Sequence, residues 1–450
     1  MGRLFGTDGI RGVIGEDLTP ALARLVGRAL VRTLPKKDNG RPYILIGMDT
    51  RLSSHMLADS VIEGICECGG DAVNIDVCAT PAIAYLVLNH HFDAGVMISA
   101  SHNPWQYNGI KIFGSDGFKL DDNLEEEIEA IILDSNDDFT ASGERGSLKH
   151  LNNAIDEYAD YLISSCDTRL DGMKIGIDCA NGSSYVTAER IFSSLGAECF
   201  VLADDPDGMN INKDCGSTHL EGLKALVVEK GLDLGVAFDG DADRCLAIDE
   251  NGREIDGDYI LAILGSAMKE KGTLKSDTIV GTVMSNLGLI NFCKSSNIGF
   301  LSTKVGDRYV LEALNERGLS LGGEQSGHII LRELSTTGDG QLTALALLCQ
   351  VKKSGKSLAT LADVMKKCPQ YMVNVHADAA DKEAFKTDGV IKEMIAESEK
   401  EMGERGRILI RPSGTEHLIR VMTEGEDPEM AEKICHHLAK AIEARLAELK

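Results

Sequence analysis

Short hydrophobic runs alternate with segments of helical length along most of the chain. Residues 43–48, 72–77 and 94–98 have the composition of buried strands, and residues 56–68 have helical spacing between the first two runs. Strands that alternate with helices are typical of α/β proteins with a mainly parallel sheet. The pattern therefore predicts the α/β class for this part of the chain.

The same arrangement occurs two more times. Strand runs at residues 173–177 and 278–283 correspond to the run at 43–48. A second run follows each of the three and ends in a polar loop, which places loops at 99–104, 239–244 and 322–328. We interpret the three segments as repeats of one α/β unit. Ligands of open α/β sheets bind outside the carboxyl ends of strands, where these loops are expected to lie.

The C-terminal part of the chain has a different pattern. Pro369 interrupts the sequence, strand runs at 407–410 and 418–422 flank the motif RPSGTEH, and residues 428–449 have helical spacing. This order predicts a small α+β unit of ordinary domain size. The predicted domains are residues 1–153, 154–254, 255–368 and 369–450.

The charge and the cysteine content exclude several classes of function. Of the 450 residues, 71 are acidic and 46 are basic, so the formal net charge is −25. Such a surface repels nucleic acid and anionic membranes, and no hydrophobic run is long enough to cross a membrane. The 12 cysteines include no Cys-x-x-Cys motif and the N-terminus shows no signal peptide. Reduced thiols and a cytoplasmic location are therefore expected.

Asp239, Asp241 and Asp243 are the candidate metal ligands. They alternate directly after a strand run, so their side chains are expected on one side of an extended segment. Three carboxylates this close favour a hard cation such as Mg²⁺ or Ca²⁺. A calcium-binding EF-hand is excluded, because Arg244 stands where that loop needs glycine and the flanking segments are strands. A solvated acidic turn is the alternative.

Ser101 is the candidate nucleophile. It lies in the loop SASHNP after a buried strand run, and His102 and Lys111 follow it closely enough in sequence to transfer a proton. A helix N-cap or an Asx turn is the favoured explanation when this loop is considered alone, because Ser-His-Asn-Pro is good turn chemistry.

The motif RPSGTEH supplies a candidate phosphate site between two strand runs. Arg411 contributes a guanidinium, Ser413 and Thr415 contribute hydroxyls, Gly414 lets backbone N–H groups approach an anion, and Arg420 follows in the next run. These are the parts of a phosphate cradle. A Pro-Ser-Gly hairpin turn explains the motif equally well when it is considered alone.

Two glycine-rich loops are candidates for substrate binding. GGEQSGH places Glu324, Gln325, Ser326 and His328 together, and such donors and acceptors suit sugar hydroxyls, although a loop that only turns the chain is the alternative. Near the N-terminus, Arg11 of GTDGIRG is the charge suited to an anion. A serine, a metal site, a hydroxyl-binding loop and an anion site together are what phosphoryl transfer on a sugar phosphate requires.

The sequence resembles the α-D-phosphohexomutase superfamily over essentially its whole length, and within it the bacterial phosphoglucosamine mutases. The resemblance rests on FGTDGIRG (5–12), SASHNPWQYNGIK (99–111), DGDADR (239–244), VGDRYV (305–310), GGEQSGH (322–328) and RPSGTEHLIR (411–420). It implies an α/β fold with four domains around a central cleft. Three of these are similar α/β domains with mixed sheets, and the C-terminal one is an α+β domain.

The resemblance also implies a role for each candidate residue. Ser101 matches the serine that is phosphorylated in the active enzyme, and its phosphate completes a single Mg²⁺ site with Asp239, Asp241 and Asp243. Further catalytic roles are expected for Lys111, Arg244 and His328. The residues expected to bind substrate are Arg11, Glu324, Gln325, Ser326, Arg411, Ser413, Gly414, Thr415 and Arg420.

The implied reaction interconverts glucosamine 6-phosphate and glucosamine 1-phosphate, which feeds UDP-N-acetylglucosamine synthesis. Glucosamine 1,6-bisphosphate is the implied intermediate, and this or a related bisphosphate is the implied activator. The expected partner is a small sugar phosphate, and a homodimer is compatible with the sequence. A phosphoglucomutase/phosphomannomutase is the alternative activity. A non-catalytic metal- or sugar-phosphate-binding protein is the alternative of a different class.

Overall fold

The computed structural model describes residues 3–6, 8–35, 40–134, 144–413 and 417–449. Within these residues the first sheet has seven strands in the order β1-β2-β6-β5-β3-β4-β7. They are β1 (Phe5–Gly6), β2 (Gly9–Val13), β3 (Tyr43–Met48), β4 (Asp71–Val77), β5 (Ala94–Ile98), β6 (Tyr107–Gly114) and β7 (Leu148–His150). The helices of this region are α1 (Pro20–Thr33), α2 (Ser54–Glu67), α3 (Thr80–His90) and α4 (Asp122–Leu133).

The second and third sheets follow in the chain. The second contains β8 (Lys174–Asp178), β9 (Glu198–Leu202), β10 (Leu234–Phe238), β11 (Cys245–Asp249) and β12 (Glu254–Ile255). The third contains β13 (Thr278–Thr282), β14 (Gly299–Thr303), β15 (Leu321–Gly323) and β16 (Ile329–Leu331). The helices are α5 (Ala154–Ser165), α6 (Ala188–Ser194), α7 (Glu221–Lys230), α8 (Gly257–Glu270), α9 (Leu287–Ser295), α10 (Asp307–Arg317), α11 (Gly340–Ser354) and α12 (Leu358–Ala362).

Four strands have the same order and the same directions in all three sheets. The order is β4-β3-β5-β6 in the first sheet, β9-β8-β10-β11 in the second and β14-β13-β15-β16 in the third. In each case the first three strands are parallel and the fourth is antiparallel to the third. Each of the three polar loops connects the third strand to the fourth. The predicted repeat of a mixed α/β unit is confirmed.

Helices α1 and α2 cross closely in the first repeat. Thr19 caps α1 by accepting a hydrogen bond from the N–H of Leu22, and a proline occupies the first turn. A β-carbon on Gly27 would lie 2.3 Å from the carbonyl oxygen of Val61. One on Gly64 would lie 2.1 Å from the carbonyl oxygen of Arg24. Glycine is therefore required at this crossing, which lets both helices share one buried core with β3 and β5.

The chain divides into two compact units, residues 1–284 with 296–364 and residues 285–295 with 365–450. The second unit has a three-stranded antiparallel sheet in the order β17-β19-β18. Its strands are β17 (Gln370–His376), β18 (Gly406–Pro412) and β19 (Leu418–Gly425), and its helices are α9, α13 (Ala379–Thr387), α14 (Gly389–Met402) and α15 (Pro428–Glu448). Helix α15 packs Ile434, Leu438 and Ile442 into the core of this sheet. The α+β class predicted for the C-terminal part is confirmed. The boundaries at 153, 254 and 368 stay predictions.

One expectation about the cysteines is wrong. Cys166, at the C-terminal end of α5, forms a disulfide with Cys349 of α11, and the two residues are 183 positions apart in the sequence. Spacing along the chain could not indicate this pair, because only tertiary packing brings the two helices together. The other ten cysteines are free thiols. Within the described residues, no helix is both long enough and apolar enough to cross a membrane.

Candidate active site

Ser101 lies in the serine loop, which we define as residues 99–107 leading from β5 into β6. The residue is fully buried, and its φ of +53° lies in the left-handed region. Its Oγ donates a hydrogen bond of 2.6 Å to Oδ2 of Asp239. Its backbone N–H donates to Oγ of Ser99 at 3.0 Å. The ends of β5 and β10 therefore bring the candidate nucleophile into contact with the first candidate metal ligand.

Asp239, Asp241 and Asp243 form a cluster of three buried carboxylates, which we call the aspartate triad. One oxygen of each lies within 4.8 Å of those of the other two. Within the described residues, Oδ1 of Asp241 and Oδ1 of Asp243 are buried without a hydrogen-bond partner. Buried acceptors without donors, and an all-oxygen set of ligands, fit a hard divalent cation such as Mg²⁺. These three residues could hold the predicted metal.

The electrostatics of the triad agree with a cation site. Burial, together with the charges of Asp243 and Asp241, raises the pKa of Asp239 well above its ordinary value. Burial also opposes ionisation of Asp243, but the charge of Lys111 and the interaction with His328 outweigh it and hold the pKa of that carboxyl below its ordinary value. The three carboxylates repel one another, and a divalent cation between them would remove that repulsion.

Lys111 is held beside the triad from β6. Its Nζ lies 2.7 Å from Oδ2 of Asp241 and 3.1 Å from Oδ2 of Asp8. Thr80, at the start of α3, donates its hydroxyl to the same oxygen of Asp241 at 2.6 Å. Burial opposes the charge of Lys111, but the neighbouring carboxylates outweigh it and raise the pKa of the amine. Lys111 is therefore a fixed cation beside the triad.

His328 and Arg244 lie on the other sides of Asp243. Nδ1 of His328 is 3.5 Å from Oδ2 of Asp243, while Nε2 accepts a hydrogen bond of 3.1 Å from the N–H of Gly338. A β-carbon on Gly338 would lie 2.4 Å from that ring nitrogen, so glycine is needed for the ring to pack there. Nε of Arg244 lies 3.8 Å from Oδ1 of Asp243, and the backbone N–H of Arg244 donates to Asp239 at 3.2 Å.

His102 follows the candidate nucleophile but does not carry a charge. Its Nδ1 lies 3.4 Å from Oγ of Ser101. Burial and the charges of Arg244 and Arg11 lower the pKa of the imidazole to about 4. At neutral pH the ring is therefore uncharged and adds no positive charge beside the serine.

The loop between β15 and β16 lies directly against the start of β11. The N–H of Cys245 donates to the carbonyl oxygen of Gly327 at 3.0 Å. Oε1 of Glu324 accepts from the N–H of Gly306 at 3.0 Å, and Nε2 of Gln325 donates to Asp256, the N-cap of α8, at 3.3 Å. Within the described residues, Oγ of Ser326 is buried without a partner. The predicted hydroxyl-binding loop therefore lies next to the strand that follows the triad, and the side chain of Gln325 is held by Asp256.

Sequence reasoning gave no role to three charged residues that complete the site. Asp8 forms ion pairs with Arg11, Lys111 and Lys119, and Lys119 also pairs with Asp307. Through Asp8, the predicted anion-binding Arg11 joins the same cluster as Lys111. Asp8 and Asp307 lie in the motifs GTDG and VGDRYV, which the sequence showed. It did not show that Lys119 forms an ion pair with both aspartates.

The second unit contains the described residues that were predicted to form a phosphate cradle. Arg411 and Arg420 stand directly opposite each other on β18 and β19. The N–H of Ser413 donates to the carbonyl oxygen of Leu418 at 2.9 Å, and Lys382 donates to the carbonyl oxygen of Ser413 at 2.7 Å. The sheet therefore places two arginines as a cross-strand pair, and Ser413 directly follows the strand that carries Arg411. Gly414 and Thr415, also predicted for this cradle, lie outside the described residues.

Four family models match the chain in sequence order. They are the phosphoglucomutase/phosphomannomutase α/β/α domain I at residues 2–138, domain II at 156–252, domain III at 256–368 and the C-terminal domain at 349–441. The chain belongs to the phosphoglucomutase/phosphomannomutase family. The predicted resemblance to the phosphohexomutases and the predicted fold class are confirmed.

Individual relatives match over their full length. A phosphoglucosamine mutase of Acetivibrio thermocellus is 51% identical over 448 residues, covering 99% of this chain and 100% of the relative. One of Clostridium novyi is 51% identical over 447 residues, covering 99% of each. Among solved structures, a phosphoglucomutase/phosphomannomutase family protein of Burkholderia thailandensis has a TM-score of 0.82 at 24% identity, covering 98% of this chain and 97% of that one. An N-acetylphosphoglucosamine mutase of Aspergillus fumigatus, in complex with GlcNAc-6P and magnesium, has a TM-score of 0.65 at 16% identity, covering 98% and 95%.

Proposed function

We propose that the protein interconverts glucosamine 6-phosphate and glucosamine 1-phosphate, with Ser101 as the phosphate carrier. The observation that carries this proposal is the 2.6 Å hydrogen bond from Oγ of Ser101 to Asp239, because it places a hydroxyl against three buried carboxylates. The full-length relatives named phosphoglucosamine mutase support the choice of sugar.

In the proposed first transfer, the bond between phosphorus and Oγ of Ser101 breaks. A bond forms between phosphorus and the free hydroxyl oxygen of the sugar phosphate, and that hydroxyl releases its proton. The resulting 1,6-bisphosphate turns around, and its other phosphate returns to Ser101. A bisphosphate of this kind would also phosphorylate the resting enzyme and so activate it. Lys111 and His328 are the proposed proton-transfer groups: Lys111, which is protonated beforehand, gives a proton to the released Oγ of Ser101, and His328 takes up the proton of the sugar hydroxyl.

The residues around Ser101 have complementary proposed roles. The aspartate triad would hold Mg²⁺, which when bound neutralises charge on the transferring phosphoryl group. Lys111 and Arg244 add fixed positive charge at that end, which costs no reorganisation during the reaction. Arg11 would bind the anionic substrate in the same region.

The other end of the substrate needs its own binding groups. Glu324 and Ser326 would bind sugar hydroxyls, with Gln325 holding their loop to Asp256. Arg411, Ser413 and Arg420, together with Gly414 and Thr415, would bind whichever phosphate is not reacting. Bidentate guanidinium contacts suit this task because they match the geometry of a phosphate.

Substitution of Arg420 by alanine tests the phosphate cradle. We expect KM for both sugar phosphates to rise tenfold to a hundredfold, because a hydrogen bond to a charged group contributes about 1.5–3 kcal/mol. Steady-state kinetics in both directions measure this. Arg445→Ala in the same unit, which removes the ion pairs to Asp388 and Glu448, is the control and should leave KM unchanged. Unchanged KM and kcat in Arg420→Ala would rule out the cradle.

A comparison of two sugars tests the specificity. Glu324 and Ser326 are proposed to bind hydroxyls that glucose and glucosamine share, so preference must come from the amino group at C2. One polar contact of about 1–3 kcal/mol predicts a roughly tenfold to hundredfold higher kcat/KM for glucosamine 1-phosphate than for glucose 1-phosphate. Equal values would favour the phosphoglucomutase/phosphomannomutase alternative. No exchange of ³²P between substrate and protein would favour the non-catalytic alternative.

We also propose a homodimer and a cytoplasmic location. Light scattering on the purified protein distinguishes a mass of 48.4 kDa from twice that value. Fractionation of the source cells tests the location. A monomer at micromolar concentration would remove the homodimer from the proposal and leave the reaction unaffected.

A further inference from the structure

Two side chains from different repeats donate hydrogen bonds to the same two carbonyl oxygens of the serine loop. Nη2 of Arg51 donates to the carbonyl oxygens of Ser101 and Asn103 at 2.9 and 2.8 Å. Nδ2 of Asn212 donates to the same two oxygens at 2.9 and 3.1 Å. Arg51 lies between β3 and α2, whereas Asn212 lies between β9 and α7. The loop that carries the nucleophile is therefore held from both repeats.

Arg51 binds two more carbonyl oxygens of the loop with its other terminal guanidinium nitrogen. Nη1 donates to the carbonyl oxygens of Pro104 and Tyr107 at 2.6 and 3.1 Å. One guanidinium thus makes four hydrogen bonds to the serine loop. A planar fork with fixed donors suits this task, whereas a lysine amine could not reach four oxygens in these directions.

A buried carboxylate fixes the orientation of this guanidinium. Oδ2 of Asp49 accepts from Nε of Arg51 at 2.8 Å, and neither side chain is exposed. The same oxygen accepts the hydroxyl of Ser99 at 2.7 Å, and Ser99 in turn accepts the N–H of Ser101. Asp49 therefore contacts both ends of the arrangement, the arginine that binds the loop and the serine that precedes the nucleophile.

The arrangement explains how Ser101 keeps an unfavourable backbone conformation. A φ of +53° is rare for a residue with a β-carbon and persists only where the surroundings impose it. The hydrogen bonds of Arg51 and Asn212 to the carbonyl oxygen of Ser101 fix the orientation of its peptide group. With the backbone held in this way, Oγ of Ser101 donates to Asp239.

We propose that Arg51 and Asn212 are positioning residues that hold the Ser101 oxygen at the aspartate triad while the phosphoryl group is transferred. The inference rests on the proposed function, because positioning matters only if Ser101 carries the phosphate. Within the described residues, the side-chain donors of Arg51 and Asn212 bond to Asp49 and the serine loop, with no hydrogen bond to the triad. Their effect is expected on the rate of transfer and not on the binding of sugar or metal.

The experiment uses the full-length Mg²⁺-loaded phosphorylated enzyme and the variants Arg51→Lys and Asn212→Gly. Lysine keeps the charge beside Asp49 but loses the fork, and glycine accepts the φ of +57° at position 212 without strain. Arg253→Lys is the matched control, because Arg253 also donates through Nε to an aspartate at a strand end, Asp249, at 2.9 Å. Arg253 makes no hydrogen bond to the serine loop within the described residues.

We expect kcat to fall about 10²-fold in each variant, because a misplacement of about 1 Å can cost that factor. KM and the Mg²⁺ concentration for half-maximal activity should change less than threefold, and Arg253→Lys should match the wild type. The double variant should lose less than the product of the two single losses, because both residues bind the same oxygens. A merely structural role would lower the melting temperature, but it would not lower kcat of the folded enzyme while leaving KM unchanged.

Two results would overturn the proposal. One is a kcat per folded molecule within threefold of the wild type in Asn212→Gly, which removes no charge and tests the idea even if Arg51→Lys fails to fold. The other is unchanged amide hydrogen exchange at residues 101–107 in both variants, where faster exchange is expected. The exchange measurement needs no turnover. If the wild type showed no turnover, the proposed function would be contradicted. The exchange data would still test whether Arg51 and Asn212 fix the serine loop.

Discussion

Replacement of Ser101 by alanine should reduce turnover by about 10³-fold or more, because the variant cannot carry a phosphoryl group. The change removes one oxygen and with it the 2.6 Å bond to Asp239 and the 3.4 Å contact with Nδ1 of His102. The fold should persist, since the loop is held through its backbone carbonyl oxygens by Arg51 and Asn212. Turnover of glucosamine 6-phosphate measures the loss, and intact-mass spectrometry should find a phosphoryl group on the wild type and none on the variant.

Ser183→Ala is a suitable control for the loss of a buried hydroxyl. Ser183 is fully buried, and its Oγ has no hydrogen-bond partner among the described residues. Its N–H donates to the carbonyl oxygen of Gly240, which stands between Asp239 and Asp241. Its substitution should leave turnover near the wild-type value. Activity of Ser101→Ala close to that of this control would refute the role of Ser101 as phosphate carrier.

Replacement of Asp241 by asparagine should weaken Mg²⁺ binding and reduce turnover together, each by about 10²-fold or more. The substitution keeps the shape but removes one of three charges, and it disturbs the oxygen that Lys111 and Thr80 share. Isothermal titration with Mg²⁺ and the Mg²⁺ dependence of turnover measure the two effects. Excess EDTA should stop the wild-type reaction.

Asp178→Asn separates the loss of a ligand from the loss of any buried charge. Asp178 ends β8 in the same sheet, accepts two backbone N–H groups, and burial raises its pKa to about 6. Its substitution should not change the affinity for Mg²⁺. If Asp241→Asn kept wild-type affinity, or if the enzyme worked fully in EDTA, the aspartate triad would not be the metal site.

The α/β class and the three repeats could be predicted from the sequence because they depend on local pattern. Strands such as β5 and β10 are short hydrophobic runs that end abruptly in polar residues, and both are completely buried. A strand that is buried on both faces must consist of apolar residues throughout, so its position is visible in the chain. The α+β character of the C-terminal part was visible for the same reason.

The kind of ligand that each motif suits could also be proposed from the sequence. The residues that each motif contacts in the fold could not. The alternation of three aspartates after β10 indicates a cation site through local spacing alone. The disulfide between Cys166 and Cys349, the ion pair between Lys119 and Asp307, and the anchoring of Gln325 by Asp256 were not visible. Each joins residues that are distant in sequence, and spacing along a chain carries no information about such contacts.

The sequence by itself determined which reactive side chains follow the ends of strands, because the type of a side chain and its place after a strand are local properties. Only the tertiary structure decided which of these residues act together. Ser101 lies in the loop after β5 of the first sheet and Asp239 directly follows β10 of the second, and the two meet only because the two repeats pack against each other. Arg51 had no visible role in the sequence. Its four bonds to the serine loop exist because β3 and β5 are adjacent parallel strands, whose carboxyl ends lie at the same edge of the sheet.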